Sequence, residues 1–422
     1  MRPELNERLV RVGPGTPGGD LMRRYWQPAL LASELPDKDG APVRVRLLGE
    51  DLVAYRDSNG TVGLIDAYCP HRRAPLFFGR NEECGIRCIY HGWKFDYTGA
   101  CLDVPSEAAG SPFRNQVRII AYPTHEAGGI IWTYMGPKDT MPAPPNLEFV
   151  RVPETRRWVT KTYEACNYLQ AMEGGFDTAH SSFLHNNNLG AKHEPRIADT
   201  APQIEVETTD YGYTYNSTRR LPESRRYVRV YHYVMPITQL RGNVHAFDGK
   251  RRTHAELSGH LWVPIDDTQT NVYNFSYTFD ENGSCDPKAW MERDIELGRA
   301  PNDFIPGTFH LKKNLSNDFM IDRELQRNKT YTGITGISTQ DVAVQEGMGP
   351  IVDRSKELLA SSDLAVVRLR RLLLDAIDDV EQGKAPRGAD PEASARIRPY
   401  DDMIEGGVDW KKTWVQHLTA KW

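Results

Sequence analysis

The sequence predicts an α+β chain in two parts, a small all-β domain followed by a larger domain of antiparallel sheet and helix. Three observations carry this. From about residue 41 to 135 the chain falls into short alternating runs such as "VRVRLLG", "DLVAYRD" and "GGIIWTYMG", broken by "DSNG", "YTG" and "EAGG", the texture of strands and hairpin turns. Longer β-like runs near 203–217, 226–247, 252–265 and 269–280, separated by "LPES", "FDGK" and "DDTQ", read as a meandering antiparallel sheet. Finally, 422 residues exceed the ~100 to 200 that one domain ordinarily uses.

In chain order, residues 1–40 form an N-terminal segment expected to pack with the larger domain. Within it, residues 17–34 carry apolar side chains at mostly helical spacing behind a Pro and two Gly, which predicts a short helix. The small β domain spans 41–145, and "GPKDTMPAPP" at 136–145 serves as its exit linker. The larger domain spans 146–422. It begins with helical spacing interrupted by a Gly pair at 163–185, passes through the long strands, and returns to helix at 361–383. There a Ser/Asp cap precedes a periodic apolar face and a Gly follows.

Composition excludes several classes. The chain is 39% hydrophobic and 26% charged, ordinary for a folded globular protein. A net charge of -5, with no basic tail or acidic block, points to no nucleic-acid partner. No stretch nears the ~18 apolar residues of a membrane span, and the charged N-terminus does not read as a signal peptide, so a cytoplasmic protein is expected. Six cysteines (69, 84, 88, 101, 166, 285) are too sparse for a disulfide framework, yet four crowd into 69–101, which favours metal chemistry.

Within that cluster, "CPHRRAPLFFGRNEECGIRCIYHGW" (69–93) contains a Cys-x-His and a Cys-x-x-His. Cys69, His71, Cys88 and His91 are metal ligands by type, and structural zinc is the plain alternative. Zinc pairs usually keep like ligands together, whereas each hook here mixes one Cys with one His. The mixed arrangement suits a [2Fe-2S] cluster with both thiolates on one iron and both imidazoles on the other. The two hooks, with Gly92 and Trp93 after the second, resemble those of Rieske oxygenases and their ferredoxins. The respiratory-chain Rieske proteins carry an extra disulfide whose cysteine places hold Ala74 and Tyr90 here, so the resemblance favours the oxygenase branch.

Some 280 residues follow the small domain, more than an electron carrier needs. "EGGFDTAHSSFLH" (173–185) holds Asp177, His180 and His185. On a straight helix Asp177 and His180 share a face, but His185 lies about 140° around from His180. For both histidines to meet one ion, the helix must bend, or end near Ser181 and Ser182. Spacing alone leaves the third ligand open among Asp318, Asp322, Asp341 and Glu346.

Asp-x-x-His-x-x-x-x-His downstream of Rieske hooks resembles the mononuclear iron site of Rieske non-haem oxygenases, and "YTGITGISTQDVAVQEGMGPIVDRSKELL" resembles the ligand-bearing segment of their phthalate-dioxygenase-like group. The resemblance implies His180, His185 and Asp341 as a two-His-one-carboxylate set on Fe(II), with Asp177 orienting His180 and bridging to His91 of a neighbouring subunit. It also implies a helix-grip catalytic domain, a homo-oligomer, usually a trimer, and activation of O2 with electrons received at the Rieske cluster. No G-x-G-x-x-G fingerprint appears, so NAD(P)H would act only through a separate reductase, with or without a ferredoxin. The implied substrate is an aromatic acid, oxidised by ring hydroxylation or by O-demethylation of a lignin-derived methoxylated ring. A Rieske electron carrier without oxygenase activity is the rival. Arg241 is the candidate partner for a substrate carboxylate, and Asn167, Gln170 and Met172 are candidate pocket residues.

Overall fold

Two compact units make up the chain, one of residues 12–144 and the other of residues 1–11 with 145–422. The computed structural model describes residues 1–108, 111–190, 194–243, 256–283 and 286–421. Cys285 and part of the run expected through 226–247 and 252–265 lie outside them. The expected N-terminal segment is thus divided: its first eleven residues belong with the larger unit and the rest with the smaller. The boundary at residue 144 falls in the Pro-rich stretch read as a linker.

The smaller unit is all-β apart from short helical turns. Trp26–Leu31, Ile130–Tyr134 and Thr124–Ala127 form one sheet; Val43–Leu47, Glu50–Arg56, Val62–Asp66 and Ala121–Tyr122 form a second; Arg80–Glu82, Gly85–Arg87, Lys94–Phe95 and Cys101–Asp103 form a third. The helix expected over 17–34 stops at Met22, and Trp26–Leu31 is a strand paired antiparallel to Ile130–Tyr134. Two physical reasons explain the difference. All six residues of the strand are buried, so no polar face exists to give a helical period. Pro28 also lacks the N–H a helix interior needs, and here it sits at a register shift in the pairing.

The larger unit is built on an eight-stranded antiparallel sheet. In spatial order it runs Arg157–Glu164, Gln269–Tyr277, Leu257–Asp266, Thr238–Gly242, Arg225–Val234, Gly212–Arg220 and Gln203–Thr209, with Tyr400–Glu405 also paired to Arg225–Val234. The run expected near 203–217 is a hairpin turning at Asp210 and Tyr211; Gly212 opens the return strand, where a φ of 150° and close approach to the Tyr233 carbonyl exclude a side chain. Helices Tyr168–Phe176 and Leu364–Glu381 pack against this sheet. The Leu364–Glu381 helix starts directly after the expected Ser/Asp pair, with Asp363 at the cap position. Asp363 turns its carboxylate back to the Ala360 N–H instead of capping, and Gly383 takes the left-handed turn after the last residues. A further helix, Pro3–Val10, was not expected. It is fastened to the C-terminal helix by Arg8, which pairs with Asp378 and Glu381 at 2.8 Å each. Among the described residues no helix is long and apolar enough to cross a membrane.

Candidate metal centres and cavity

In the smaller unit the two hooks are built alike. The Cys69 carbonyl accepts from the Arg73 N–H and the Cys88 carbonyl from the Gly92 N–H; the Cys69 N–H donates to the Ala74 carbonyl and the Cys88 N–H to the Trp93 carbonyl. Both turns close with a positive φ, 58° at Arg73 and 77° at Gly92. At Gly92 a Cβ would also meet the Pro105 ring at 2.6 Å, so glycine is required there twice over. These turns bring the ligand side chains together. The His71 and His91 rings lie 4.4 Å apart, and Trp93 stacks on His71 at 4.5 Å.

Cys69 and Cys88 are buried and form no disulfide. Burial, reinforced by the neighbouring Cys88, pushes the Cys69 thiol well up, so a metal is what would make it a thiolate. His71 Nδ1 is buried with no hydrogen-bond partner among the described residues. Two buried thiols and an orphaned imidazole nitrogen fit a two-thiolate, two-imidazole cluster.

In the larger unit the Tyr168–Phe176 helix ends one residue before Asp177, which is extended. Asp177 and His180 therefore meet across a turn and not along a helix face. Asp177 Oδ1 accepts from the Ala179 N–H at 2.7 Å, and its Oδ2 lies 3.5 Å from His180 Nδ1. The 3₁₀ turn His180–Ser182 then swings His185 back, leaving the two Nε2 atoms 3.1 Å apart. Asp341, on helix Ile337–Gly347, brings Oδ1 to 3.2 Å from His185 Nε2 and 3.6 Å from His180 Nε2. Bonds of ~2.1 Å at right angles would set neighbouring ligand atoms about 3 Å apart, so the three groups fit one face of an octahedral ion. Among the described residues His180, His185 and Asp341 are the one such group of donors.

Spacing had left three other carboxylates open, and the geometry removes each. Asp318 is exposed, Asp322 caps its own helix through the Glu324 and Leu325 N–H groups, and Glu346 accepts from the Ala165 N–H.

The surroundings prepare these donors. Burial alone would raise the Asp341 carboxyl, but His185, His180 and Arg241 outweigh it and hold the group below its ordinary value. Gln340 fixes His185: its Nε2 donates to the Ile334 carbonyl at 2.8 Å, so Oε1 is the atom that accepts His185 Nδ1–H at 2.9 Å, and His185 Nε2 is left as a lone pair. Arg219 holds the ligand turn. Its buried guanidinium donates to the Thr178, Arg196 and Asp199 carbonyls and to Ser182 Oγ, and pairs with no carboxylate among the described residues. Neither Gln340 nor Arg219 was singled out from the sequence, because each acts across 37 to 155 residues of chain.

His180, His185, Asp341 and Arg241 all line one cavity of about 120 Å³. A second hollow of about 200 Å³ shares Asp177, His180 and Asp341 with the first. Two of the expected pocket residues line neither. Asn167 caps its helix through the Leu169 N–H and ties it to the Val10 and Asp267 carbonyls, while Met172 is packed in the core. Gln170 borders only the second hollow, donating to the Gln345 and Gly349 carbonyls and so bracing the helix that carries Asp341. Helix packing and capping, not substrate contact, account for these three.

Comparison with known proteins decides the family. The Rieske [2Fe-2S] domain family matches residues 25–123, and the LigXa C-terminal domain like family matches residues 133–421. The chain belongs to the Rieske non-haem iron oxygenases. The oxygenase is 38% identical over 440 residues to the oxygenase subunit of phthalate 4,5-dioxygenase from Pseudomonas putida, covering 100% of this chain and 96% of the relative. It is 33% identical over 399 residues to the oxygenase subunit of 5,5'-dehydrodivanillate O-demethylase from Sphingobium sp. (strain NBRC 103272 / SYK-6), covering 92% and 83%. A caffeine complex of an NdmA mutant from Pseudomonas putida CBB5 shares the fold, with a TM-score of 0.62 at 18% identity over 89% of this chain and 94% of that one. The Rieske oxygenase carries a [2Fe-2S] cluster and a mononuclear iron, and uses O2. The match over 133–421 sets aside the reading as a carrier alone. Its electrons come from a reductase or ferredoxin component.

Proposed function

We propose that this oxygenase oxidises an aromatic carboxylate held by Arg241, at an iron carried by His180, His185 and Asp341, with the cluster on Cys69, His71, Cys88 and His91. The observation that carries the substrate reading is Arg241 itself. It lines the cavity shared by the three iron-site residues, and no carboxylate pairs with it among the described residues. Its Nε donates to Ser258 Oγ at 3.0 Å, which leaves the terminal nitrogens for a bidentate carboxylate.

Charge in the cavity supports an anionic ligand. Burial, then the like charges of Arg229 and Arg299, push Arg241 down to about 10, and a bound anion would relieve both. Of the nearby acids, Asp294 is taken by Arg299 at 2.8 Å, burial, Glu346 and Asp341 push the Glu164 carboxyl well up, and Asp341 offsets only part of the effect on Arg241. Trp262, Val272, Leu297 and Val342 supply apolar wall. A cavity of this size suits one ring, since an engineered cavity of about 150 Å³ binds benzene.

When bound, the cluster supplies single electrons and the mononuclear iron supplies open positions at which dioxygen is activated. The chain's own residues orient and protect. Gln340 and Asp177 fix the two imidazoles, Arg241 fixes the acid end of the ring, and the apolar wall excludes water. Ring hydroxylation and O-demethylation both suit this arrangement; of the two relatives, one is named as a dioxygenase and the other as an O-demethylase. A homotrimer, drawn from the family resemblance, and a cytoplasmic location are part of the same reading.

Arg241→Ala is expected to weaken binding of aryl carboxylates by about 10²-fold, with Arg241→Lys in between, because a buried anion loses its charged partner. Dissociation constants for benzoate and phthalate, measured on the iron-loaded protein, check this. Unchanged affinity in the alanine variant would refute the substrate reading.

A further inference from the structure

One polar group in the cavity is used neither by the iron site nor by the carboxylate reading. His260 sits in the middle of strand Leu257–Asp266, directly across from Asn274 on strand Gln269–Tyr277. Both line the cavity. The proton on this imidazole can be assigned from the partners. Asn274 Nδ2 lies 3.3 Å from the Val272 carbonyl, which can only accept, and 3.3 Å from Thr162 Oγ1. Asn274 Oδ1 is therefore the atom facing His260 Nδ1 at 2.8 Å, and Nδ1 must carry the hydrogen. Nε2 is then the ring's lone pair. It makes no hydrogen bond among the described residues and is not one of their sealed, unpartnered atoms. The ring remains neutral, because burial and the charges of Arg241 and Arg299 all oppose protonation.

We infer that His260 Nε2 is a hydrogen-bond acceptor for a hydroxyl on the substrate ring, so that the preferred substrate is a phenolic aromatic carboxylate. This rests on the carboxylate reading above and narrows it. Arg241 can only donate and His260 Nε2 can only accept, so together they read two groups of opposite hydrogen-bonding sense on one molecule. A bare benzoate would leave the acceptor unmet in a site that excludes water, at a cost in affinity. His260 is a specificity-determining residue on this view, and its loss should not disturb either metal.

The test is binding to the iron-loaded protein of benzoate, the three hydroxybenzoates and the three methoxybenzoates, in the wild type and in His260→Phe, His260→Gln and Arg241→Ala. In the wild type one hydroxybenzoate isomer should bind about tenfold more tightly than benzoate, and its methyl ether, which cannot donate, should lose that advantage. His260→Phe should erase the preference while leaving benzoate affinity within about twofold, and His260→Gln, whose amide oxygen accepts, should restore part of it. Arg241→Ala should weaken every acid alike. Equal affinity for benzoate and all three hydroxybenzoates in the wild type would overturn the inference, as would a hydroxyl preference that survives in His260→Phe. If Arg241→Ala changes nothing, it is the carboxylate reading that fails. The comparison of hydroxyl with methyl ether needs only the wild-type protein, so a variant that does not fold leaves the inference open to refutation.

Discussion

Asp341→Ala is expected to abolish turnover while leaving the Rieske cluster untouched. The variant should retain the visible absorption and electron-paramagnetic signal of the cluster, because Asp341 lies in the larger unit and the hooks lie in the smaller. Mononuclear iron should fall from about one per chain to a small fraction, and oxidation of any aryl carboxylate by at least ~10³-fold. The reason is chemical as well as geometric. His180 and His185 bring two nitrogen donors 3.1 Å apart, and on the proposed ligand set Asp341 would supply the negative charge that balances a divalent ion between them. Metal analysis and a turnover assay on the same preparation check both halves. An active variant with a full complement of iron would remove Asp341 from the ligand set.

Asp177→Ala should have a different signature, with both metals retained and electron transfer between them arrested. Asp177 spends Oδ1 on the Ala179 N–H and presents Oδ2 to His180 Nδ1. The family resemblance makes this carboxylate the bridge toward His91 of a neighbouring subunit. The alanine variant should lose at most ~10 to 100-fold in iron affinity, since it removes a partner of a ligand and not a ligand. Reoxidation of the reduced cluster on mixing with O2 and substrate should slow by ~10²-fold or more in iron-replete protein. Stopped-flow absorbance reads that step directly. A wild-type rate would refute the bridge and leave Asp177 with the local role of orienting His180.

How far the sequence reached follows from the range over which each feature is encoded. The Rieske hooks are local: Cys69 and His71, and Cys88 and His91, are fixed by turns that close within five residues. His180 and His185 are local too, but the helical period misplaced Asp177, because the helix ends at Phe176 and a turn makes the contact. Asp341 is distant, and spacing could not separate it from three other carboxylates; only the resemblance of its segment did so, and it is the carboxylate the structure places beside His180 and His185. Gln340 and Arg219 carried no signal, since their meaning depends on partners 155 and 37 residues away. Asn167 and Gln170 are expected at the pocket because they lie one to three turns before Asp177 in sequence. They are buried to satisfy backbone groups that would otherwise be stranded, in the helix cap and in the segment after Gly347. Trp26–Leu31 was missed because a strand buried on both faces shows no period at all.

On the proposed function, electrons entering at a cluster held by Cys69, His71, Cys88 and His91 are spent on O2 at an iron held by His180, His185 and Asp341, and oxidise an aromatic carboxylate. A single-turnover reaction tests it most directly: chemically reduced, iron-replete protein mixed with ¹⁸O-labelled dioxygen and a panel of hydroxy- and methoxybenzoates, followed by mass analysis of every organic product. Label from O2 is expected in a ring hydroxyl, or in formaldehyde released from a methoxy group, with the cluster reoxidised in step. Reoxidation of the cluster with no labelled organic product from any aryl carboxylate would contradict it.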